Sequence, residues 1–123
     1  MNEPAKILVA EDDPVLQKIV EILLKRMNVP FTMVSNGAEA VAAACEDDFT
    51  LILMDLQMPE LTGIEAADAI RKKEKETGRH TPIVAMSAFD DEICAGAGMD
   101  ECLPKPIDFR AFQDLVDRYS GRH

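Results

Sequence analysis

Short, uninterrupted runs of apolar residues constrain the fold more than any other feature of this sequence. Three runs of four or five residues stand out, namely 6–10 (KILVA), 51–54 (LILM) and 83–86 (IVAM). A strand buried on both faces produces such a run, whereas a strand with one face in solvent alternates between apolar and polar residues. The runs therefore predict strands of a parallel sheet that helices cover on both sides.

Segments with the apolar spacing of helices alternate with these strands. The first covers 14–27, where Asp13 suits the capping position and Pro14 the first helical position. The other predicted elements are strands over 31–34 and 101–103 and helices over 37–46, 64–76, 90–98 and from 108 onward. The segment 90–98 contains two glycines and few apolar anchors, which indicates a short or mobile helix. Five strands alternating with five helices predict a single α/β domain over residues 1–123.

Composition limits the classes of partner and the setting. The chain has 13 Lys and Arg against 23 Asp and Glu, a net charge of -10, which repels nucleic acid and anionic lipid. We expect no signal peptide, and no run approaches the roughly 18 apolar residues that cross a bilayer. The cysteines Cys45, Cys94 and Cys102 are odd in number and fit neither a redox pair nor a zinc spacing. We therefore expect reduced cysteines in or near the core and a cytoplasmic location, either of a separate protein or of the cytosolic part of a larger membrane-bound one.

Polar residues that could share one crevice follow four of the predicted strands. They are Glu11, Asp12 and Asp13 after the first strand, Asp55 after the third, Ser87 after the fourth and Lys105 after the fifth. In an open parallel sheet, ligands bind beyond the carboxyl ends of the strands. Neighbouring carboxylates repel one another unless a cation is present, and the oxygen atoms of Glu11, Asp12 and Asp55 suit Mg²⁺ rather than zinc.

The same residues suit phosphoryl transfer, in which catalysis consists mainly of positioning and of neutralising charge on oxygen. Asp55 is the predicted nucleophile, because its carboxylate can attack phosphorus and form an acyl phosphate. The cation and Lys105 would keep that carboxylate ionised at neutral pH.

At this point the chain resembles, over essentially its full length, the receiver domains of bacterial two-component response regulators. Four motifs carry the resemblance: the acidic pair in ILVAEDD, the D-x-x-M-P-x-x-x-G loop formed by Asp55, Met58, Pro59 and Gly63, Ser87 in AMSA, and Lys105-Pro106 in LPKPI. The resemblance implies a flavodoxin-like, doubly wound domain with strand order 2-1-3-4-5 and five helices. It also implies a phosphorylation-dependent signalling switch that promotes its own aspartyl phosphorylation and dephosphorylation without turnover of a separate substrate.

The resemblance further assigns roles in metal binding and in phosphoryl transfer. Asp55 would accept the phosphoryl group from a phosphohistidine of a sensor histidine kinase or a histidine phosphotransfer protein. Asp12 and Asp55 would bind Mg²⁺ directly, Glu11 would act mainly through water, and the backbone carbonyl of Gln57 would complete the site.

The resemblance also implies that Ser87 and Lys105 contact oxygen atoms of the phosphoryl group on Asp55. It implies further that the Lys105–Pro106 peptide bond is cis. The surface near the predicted helix over 90–98 and the fifth strand would then change its affinity for a downstream partner. Cys102 departs from the family, which often has an aromatic switch residue at this position.

Two other classes of function, an enzyme and a binding or interaction module, stay open, as does the extent of the parent protein. An aspartyl phosphatase would need a general acid two residues beyond Asp55, where this chain has Gln57. A flavin binder or a phosphorylation-independent interaction module could share the topology, although the acids after the first strand would repel a cofactor phosphate. The segments RHTPIVAMSA and DECLPKPI are more similar to receivers of hybrid histidine kinases than to DNA-binding regulators, and a stand-alone receiver is the alternative.

Overall fold

The computed structural model describes residues 6–56, 58, 61–87 and 98–120. Within these ranges the elements are β1 (Ile7–Ala10), α1 (Pro14–Arg26), β2 (Phe31–Val34), α2 (Gly37–Glu46), β3 (Leu51–Asp55), α3 (Gly63–Thr77), β4 (Ile83–Ser87), β5 (Glu101–Pro104) and α4 (Phe109–Ser120). All strand pairs are parallel, and the sheet order is β2-β1-β3-β4-β5, as predicted. The helix predicted over 90–98 lies, except for Gly98, outside the described residues.

Local capping explains where the first three helices begin. Asp13 caps α1, as predicted, and Asn36 caps α2. Helix α3 begins one residue earlier than predicted, at Gly63, because Thr62 and Glu65 form a reciprocal capping box. The Thr62 hydroxyl accepts from the Glu65 backbone N–H at 3.2 Å, and the Glu65 carboxylate accepts from the Thr62 backbone N–H at 3.1 Å. The helix start next to the predicted site is thus fixed by local hydrogen bonds.

Two apolar cores lie on opposite faces of the sheet, because successive side chains of a strand point to opposite sides. The core beneath α1 and α4 includes Val9, Leu24, Leu53, Met86, Phe112 and Val116. The core beneath α2 and α3 includes Leu8, Ala40, Met54, Ala66, Ile70 and Ile83. Both faces of the central strands are therefore covered, which is why their sequences read as continuous apolar runs. Among the described helices, none combines the length and the apolarity needed to span a bilayer.

The expectation for the cysteines was wrong at two positions. Cys45 is a free cysteine, but it is exposed rather than near the core. Cys102, in β5, is disulfide-bonded rather than reduced. The expectation rested on the number and the spacing of cysteines along the chain, whereas a disulfide requires only that two cysteines be close in space.

Arg71 ties α3 to the chain that enters β5. Its side chain is only 16% exposed, and Nε donates to the carbonyl oxygen of Gly98 at 3.1 Å. Nη1 donates to the Glu74 carboxylate at 2.6 Å and to the Thr81 carbonyl at 2.9 Å, while Nη2 donates to Asp100 at 2.7 Å. One guanidinium therefore joins a helix, the turn before β4 and the start of β5.

Replacing this cation should cost more stability than replacing an exposed one. We expect Arg71→Met, which keeps the aliphatic stem, to lower the free energy of unfolding by about 2 kcal/mol, because two partly buried carboxylates lose their cation. Lys72→Met is the matched control, since Lys72 pairs with Asp68 at 3.0 Å with both side chains more than half exposed. That substitution should leave stability essentially unchanged. Urea unfolding of both variants makes the comparison, and equal losses would contradict the anchoring role of Arg71.

Candidate functional site

The carboxyl edge of the sheet brings five of the six predicted site residues together. They are Glu11, Asp12, Asp55, Ser87 and Lys105. Asp55 and Ser87 are the last residues of β3 and β4, one position further into the strands than predicted, and each is 2% exposed. Gln57, the sixth, lies outside the described residues. The spatial grouping follows from the parallel sheet, since all five described strands end at this edge and these residues follow or close four of them.

Three carboxylates lie close enough to share one cation. One oxygen atom each from Glu11, Asp12 and Asp55 lies within 4.8 Å of the others, with Asp12 exposed and the other two buried. Oε2 of Glu11 accepts a hydrogen bond from the backbone N–H of Asp13 at 3.1 Å. Oε1 of Glu11 is fully buried and receives no hydrogen bond from any residue that the structure describes. Such an atom is costly to bury, so this oxygen-only group fits a hard divalent cation.

Lys105 supplies positive charge on the other side of Asp55. Its Nζ lies 3.1 Å from Oδ1 of Asp55 and 3.2 Å from Oε1 of Glu11, the second contact being an ion pair without hydrogen-bond geometry. Burial alone would lower the pKa of Lys105, but the hydrogen bond to Asp55 and the charges of Glu11 and Asp55 outweigh it and raise the pKa. The ammonium therefore stays charged at neutral pH.

The main chain links Lys105 to Ser87. The backbone N–H of Lys105 donates to the carbonyl oxygen of Ser87 at 2.8 Å, directly beyond the register pair Ser87 and Pro104. The Lys105–Pro106 peptide bond is cis, as predicted. The hydroxyl-bearing and ammonium-bearing residues are thus placed side by side by the hydrogen bonding of the sheet.

Gly63 lies against the main chain of Asp55. A Cβ atom at Gly63 would lie 2.1 Å from the carbonyl oxygen of Asp55 and 2.8 Å from Cα of Leu56. The Gly63 backbone N–H donates to the Leu56 carbonyl at 3.3 Å. The glycine that closes the D-x-x-M-P-x-x-x-G motif is therefore required for space, because the chain folds back onto the residue that opens the motif.

An apolar groove of about 380 Å³ adjoins the crevice at Lys105. Its apolar lining consists of Val15, Leu16, Ile19, Pro106, Ile107 and Phe109. Val15 is 68% exposed and Phe109 58% exposed, although both are apolar residues at helical spacing. Each lies in the first turn of its helix, at the edge where the strands end, so the sheet offers little surface to cover it.

Gln17 also contacts the crevice and was not predicted from the sequence. Its side-chain amide donates to the backbone carbonyl oxygen of Glu11. Side chains of a helix point back toward its N-terminus, so a residue in the first turns of α1 can reach the loop that precedes the helix. That geometric signal was present once the helix start at Pro14 was recognised, but it does not distinguish Gln17 from its neighbours.

The buried carboxyl of Glu11 should make the stability of the metal-free protein depend on pH. Burial raises the pKa of Glu11 from 4.5 to about 7, and the hydrogen bond and the charge of Asp55 add to the rise, although the N–H of Asp13 and the charge of Lys105 oppose it. Folding therefore favours the protonated form of this group. Its contribution to stability is complete below about pH 4.5 and is lost as the pH rises through about 7.

We expect wild type in a chelator to lose stability relative to Glu11→Gln between about pH 5 and pH 8, because the amide stays neutral. Urea unfolding at several pH values measures the difference. Glu46→Gln, at an exposed position of α2, is the control. Its free energy of unfolding should change with pH in the same way as that of wild type. Parallel curves for Glu11→Gln as well would show that Glu11 does not titrate in this range.

Comparisons with known proteins agree with the geometry. The family model of the response regulator receiver domain matches residues 7–117. Hybrid signal transduction histidine kinase I of Dictyostelium discoideum is 35% identical over an alignment 123 residues long that covers 93% of this chain and 7% of that kinase. This chain spans between 4% and 16% of the length of the curated relatives that it matches.

Two crystal structures are similar over nearly the whole chain. The receiver domain of a sensor histidine kinase from Pseudomonas aeruginosa, with a magnesium ion coordinated in its active-site cleft, is 36% identical with a TM-score of 0.86, covering 97% of this chain and 99% of that chain. The receiver domain of the response regulator Ssk1 from Saccharomyces cerevisiae, in complex with the histidine phosphotransfer protein Ypd1, is 30% identical with a TM-score of 0.88, covering 98% and 92%.

Proposed function

This chain belongs to the family of response regulator receiver domains, and we propose that it is a phosphorylation-dependent switch whose phosphoacceptor is Asp55. The environment of the Asp55 carboxylate is the observation that supports the proposal. It is almost fully buried at the end of β3, lies 3.1 Å from the Lys105 ammonium and shares a cation-sized cluster with Glu11 and Asp12. A carboxylate with an ammonium on one side and two further carboxylates that could hold a cation on the other is suitably placed to act as a nucleophile toward phosphorus.

The proposed reaction transfers a phosphoryl group from a phosphohistidine of a partner. One carboxylate oxygen of Asp55 forms a bond to phosphorus while the bond between phosphorus and the donor imidazole nitrogen breaks, and the bonding electrons remain on that nitrogen. Lys105, already beside Asp55, pairs with one oxygen of the transferred group. Ser87, at the end of the neighbouring strand, offers its hydroxyl to another.

Mg²⁺ is the proposed cation, held by Glu11, Asp12, Asp55 and, from the sequence motif, the carbonyl of Gln57. When bound, it would neutralise charge on the phosphoryl oxygens. The oxygen-only donor set supports a hard cation, and a magnesium ion occupies the cleft of the related Pseudomonas aeruginosa domain. Without positive charge here, the carboxylates would repel an incoming phosphoryl group.

The domain is proposed to accept and lose its own phosphoryl group rather than to turn over a separate substrate. A phosphatase with an aspartyl nucleophile needs an acid two residues further on, and Gln57 cannot serve as one. The proposed phosphodonor is a sensor histidine kinase or a histidine phosphotransfer protein, which the complex of the related Ssk1 receiver with Ypd1 supports.

The proposed readout is a change in the surface near β5 and the segment 90–98. The main-chain hydrogen bond between Ser87 and Lys105 supports it, because it connects the ends of β4 and β5 directly beside Asp55. Cys102 occupies the β5 position at which the family often has an aromatic residue, and it is disulfide-bonded. The aromatic rotamer change that accompanies switching in many receivers therefore has no counterpart at this position.

Phosphorylation can be tested on the isolated chain. The protein is incubated with Mg²⁺ and a small acyl phosphate, and its intact mass is measured. We expect a gain of one phosphoryl group with Mg²⁺ and none with a chelator, together with no steady turnover of a chromogenic phosphate ester. Failure to gain mass with Mg²⁺ would overturn the proposal, and steady ester hydrolysis would favour the phosphatase.

A further inference from the structure

Gln17 joins two loops at the carboxyl edge of the sheet. Its Nε2 donates one hydrogen bond to the backbone carbonyl oxygen of Glu11 and another, at 3.2 Å, to the hydroxyl of Ser35. Glu11 lies in the connection between β1 and α1, and Ser35 lies in the connection between β2 and α2. The backbone N–H of Glu11 donates to Val34 at 3.1 Å. Both polar main-chain groups of Glu11 are therefore held.

The Ser35 end of this bridge is itself fixed. The Ser35 backbone N–H donates to the Glu39 carboxylate at 2.9 Å, and the Asn36 side chain accepts from the Glu39 backbone N–H at 2.8 Å. At the start of α2, a Cβ atom on Gly37 would lie only 2.0 Å from the carbonyl oxygen of Leu61. The first turn of α2 is thus in close contact with the loop after β3, and Gln17 connects the Glu11 loop to this rigid turn.

The connected loop carries two of the three clustered carboxylates, those of Glu11 and Asp12. Ionised carboxylates at this spacing repel one another, so the main chain must hold them in place. Gln17 holds the loop by its main chain and leaves all three carboxylates available. A lysine or arginine could donate the same hydrogen bonds, but its charge would weaken the negative potential that attracts a cation.

We propose that Gln17 is a positioning residue of the cation site. By fixing the main chain of Glu11, it keeps the carboxylates of Glu11 and Asp12 at coordinating distance from Asp55. The inference rests on the proposed function for the use of the cation in phosphoryl transfer, whereas cation binding can be measured independently. Its consequence is specific: loss of the bridge weakens Mg²⁺ affinity and leaves the chemistry intact once the cation is bound.

Gln17→Leu tests the inference, because it removes the donor and keeps most of the side-chain volume. Mg²⁺ alone is titrated into each metal-free protein by isothermal calorimetry. We expect the Kd to rise about two- to tenfold, the range that corresponds to one or two net hydrogen bonds. Gln113→Leu is the matched control, since Gln113 is exposed on α4 and lines a groove with Leu23 and Met27, and its Kd should equal that of wild type. Ser35→Ala, which removes one acceptor of the pair, should give a smaller rise.

Phosphorylation kinetics separate positioning from general damage. With a small acyl phosphate, Gln17→Leu should react more slowly than wild type at low Mg²⁺ and at the wild-type rate at saturating Mg²⁺. An unchanged Kd, or a slower reaction at every Mg²⁺ concentration, would overturn the inference.

If wild type binds Mg²⁺ but takes up no phosphoryl group, the proposed function fails and the Kd values still decide the role of Gln17. If wild type does not bind Mg²⁺, both proposals fail, and if Gln17→Leu does not fold, Ser35→Ala decides.

Discussion

An Asp55→Asn variant should take up no detectable phosphoryl group under conditions that modify the wild-type chain completely. The amide has nearly the shape of the carboxylate, so the end of β3 should keep its packing. It has no negative charge to bind a cation or to pair with Lys105, which lies 3.1 Å from the native carboxylate. An amide oxygen is also a poor nucleophile toward phosphorus. The loss is measured from the intact mass of the protein after incubation with Mg²⁺ and a small acyl phosphate.

The matched control is Asp68→Asn. Asp68 is an acid on α3 with a side chain that is 63% exposed, and its contact in the described part of the chain is an ion pair with Lys72. This variant should gain one phosphoryl group at the wild-type rate. An adduct that persists in Asp55→Asn would assign the phosphoacceptor to another residue, and loss of the adduct in both variants would indicate a nonspecific effect of charge.

Gly63→Ala should cause the largest loss of stability, with the free energy of unfolding falling by about 3 kcal/mol or more. The added Cβ would lie 2.1 Å from the Asp55 carbonyl oxygen and 2.9 Å from its carbonyl carbon, closer than such atoms approach. The obstructing atoms belong to the main chain of a central strand, which cannot rotate aside. Relief requires displacement of Asp55 or of the start of α3, so phosphoryl uptake should fall as well. Urea unfolding and intact mass measure the two effects.

Gly78→Ala separates crowding from backbone conformation. Gly78 ends α3 in the left-handed region with a φ of 73°, and a Cβ atom there would meet nothing within 4 Å. The expected loss is about 1 kcal/mol, which is the cost of this backbone conformation for a residue other than glycine. Phosphoryl uptake should stay normal. A loss as large as that of Gly63→Ala would contradict the steric explanation.

The architecture could be predicted because its signals are local in the sequence. The continuous apolar runs identify strands buried on both faces, and Asp13, Asn36 and Gly78 sit where the ends of α1, α2 and α3 require them. The sheet order came from the family resemblance. Once strand ends are known, parallel pairing places Asp55 and Ser87 at one edge, so the grouping of the site followed from a few short patterns. The chemical roles of these residues remain predictions.

The features that could not be predicted depend on distances between segments that are far apart in the chain. Helical spacing shows that Phe109 shares a face with core residues, but not that this face extends past the edge of the sheet. The number of cysteines does not reveal that Cys102 is disulfide-bonded. The raised pKa of Glu11 depends on complete burial beside Asp55, and no local pattern reports burial depth. The predicted helix over 90–98, apart from Gly98, and the carbonyl of Gln57 lie outside the described residues and stay predictions.

The hydrogen bond between Ser87 and Lys105 joins main-chain atoms only, so it positions the two residues at this edge independently of their side chains. Because neither side chain takes part in it, the spacing of the two positions is a property of the sheet and survives replacement of either side chain. For protein engineering, the crevice is therefore a template with interchangeable functional groups. A hydroxyl or thiol of similar size at the buried position 87, or another cation at position 105, can therefore be compared at a constant main-chain spacing.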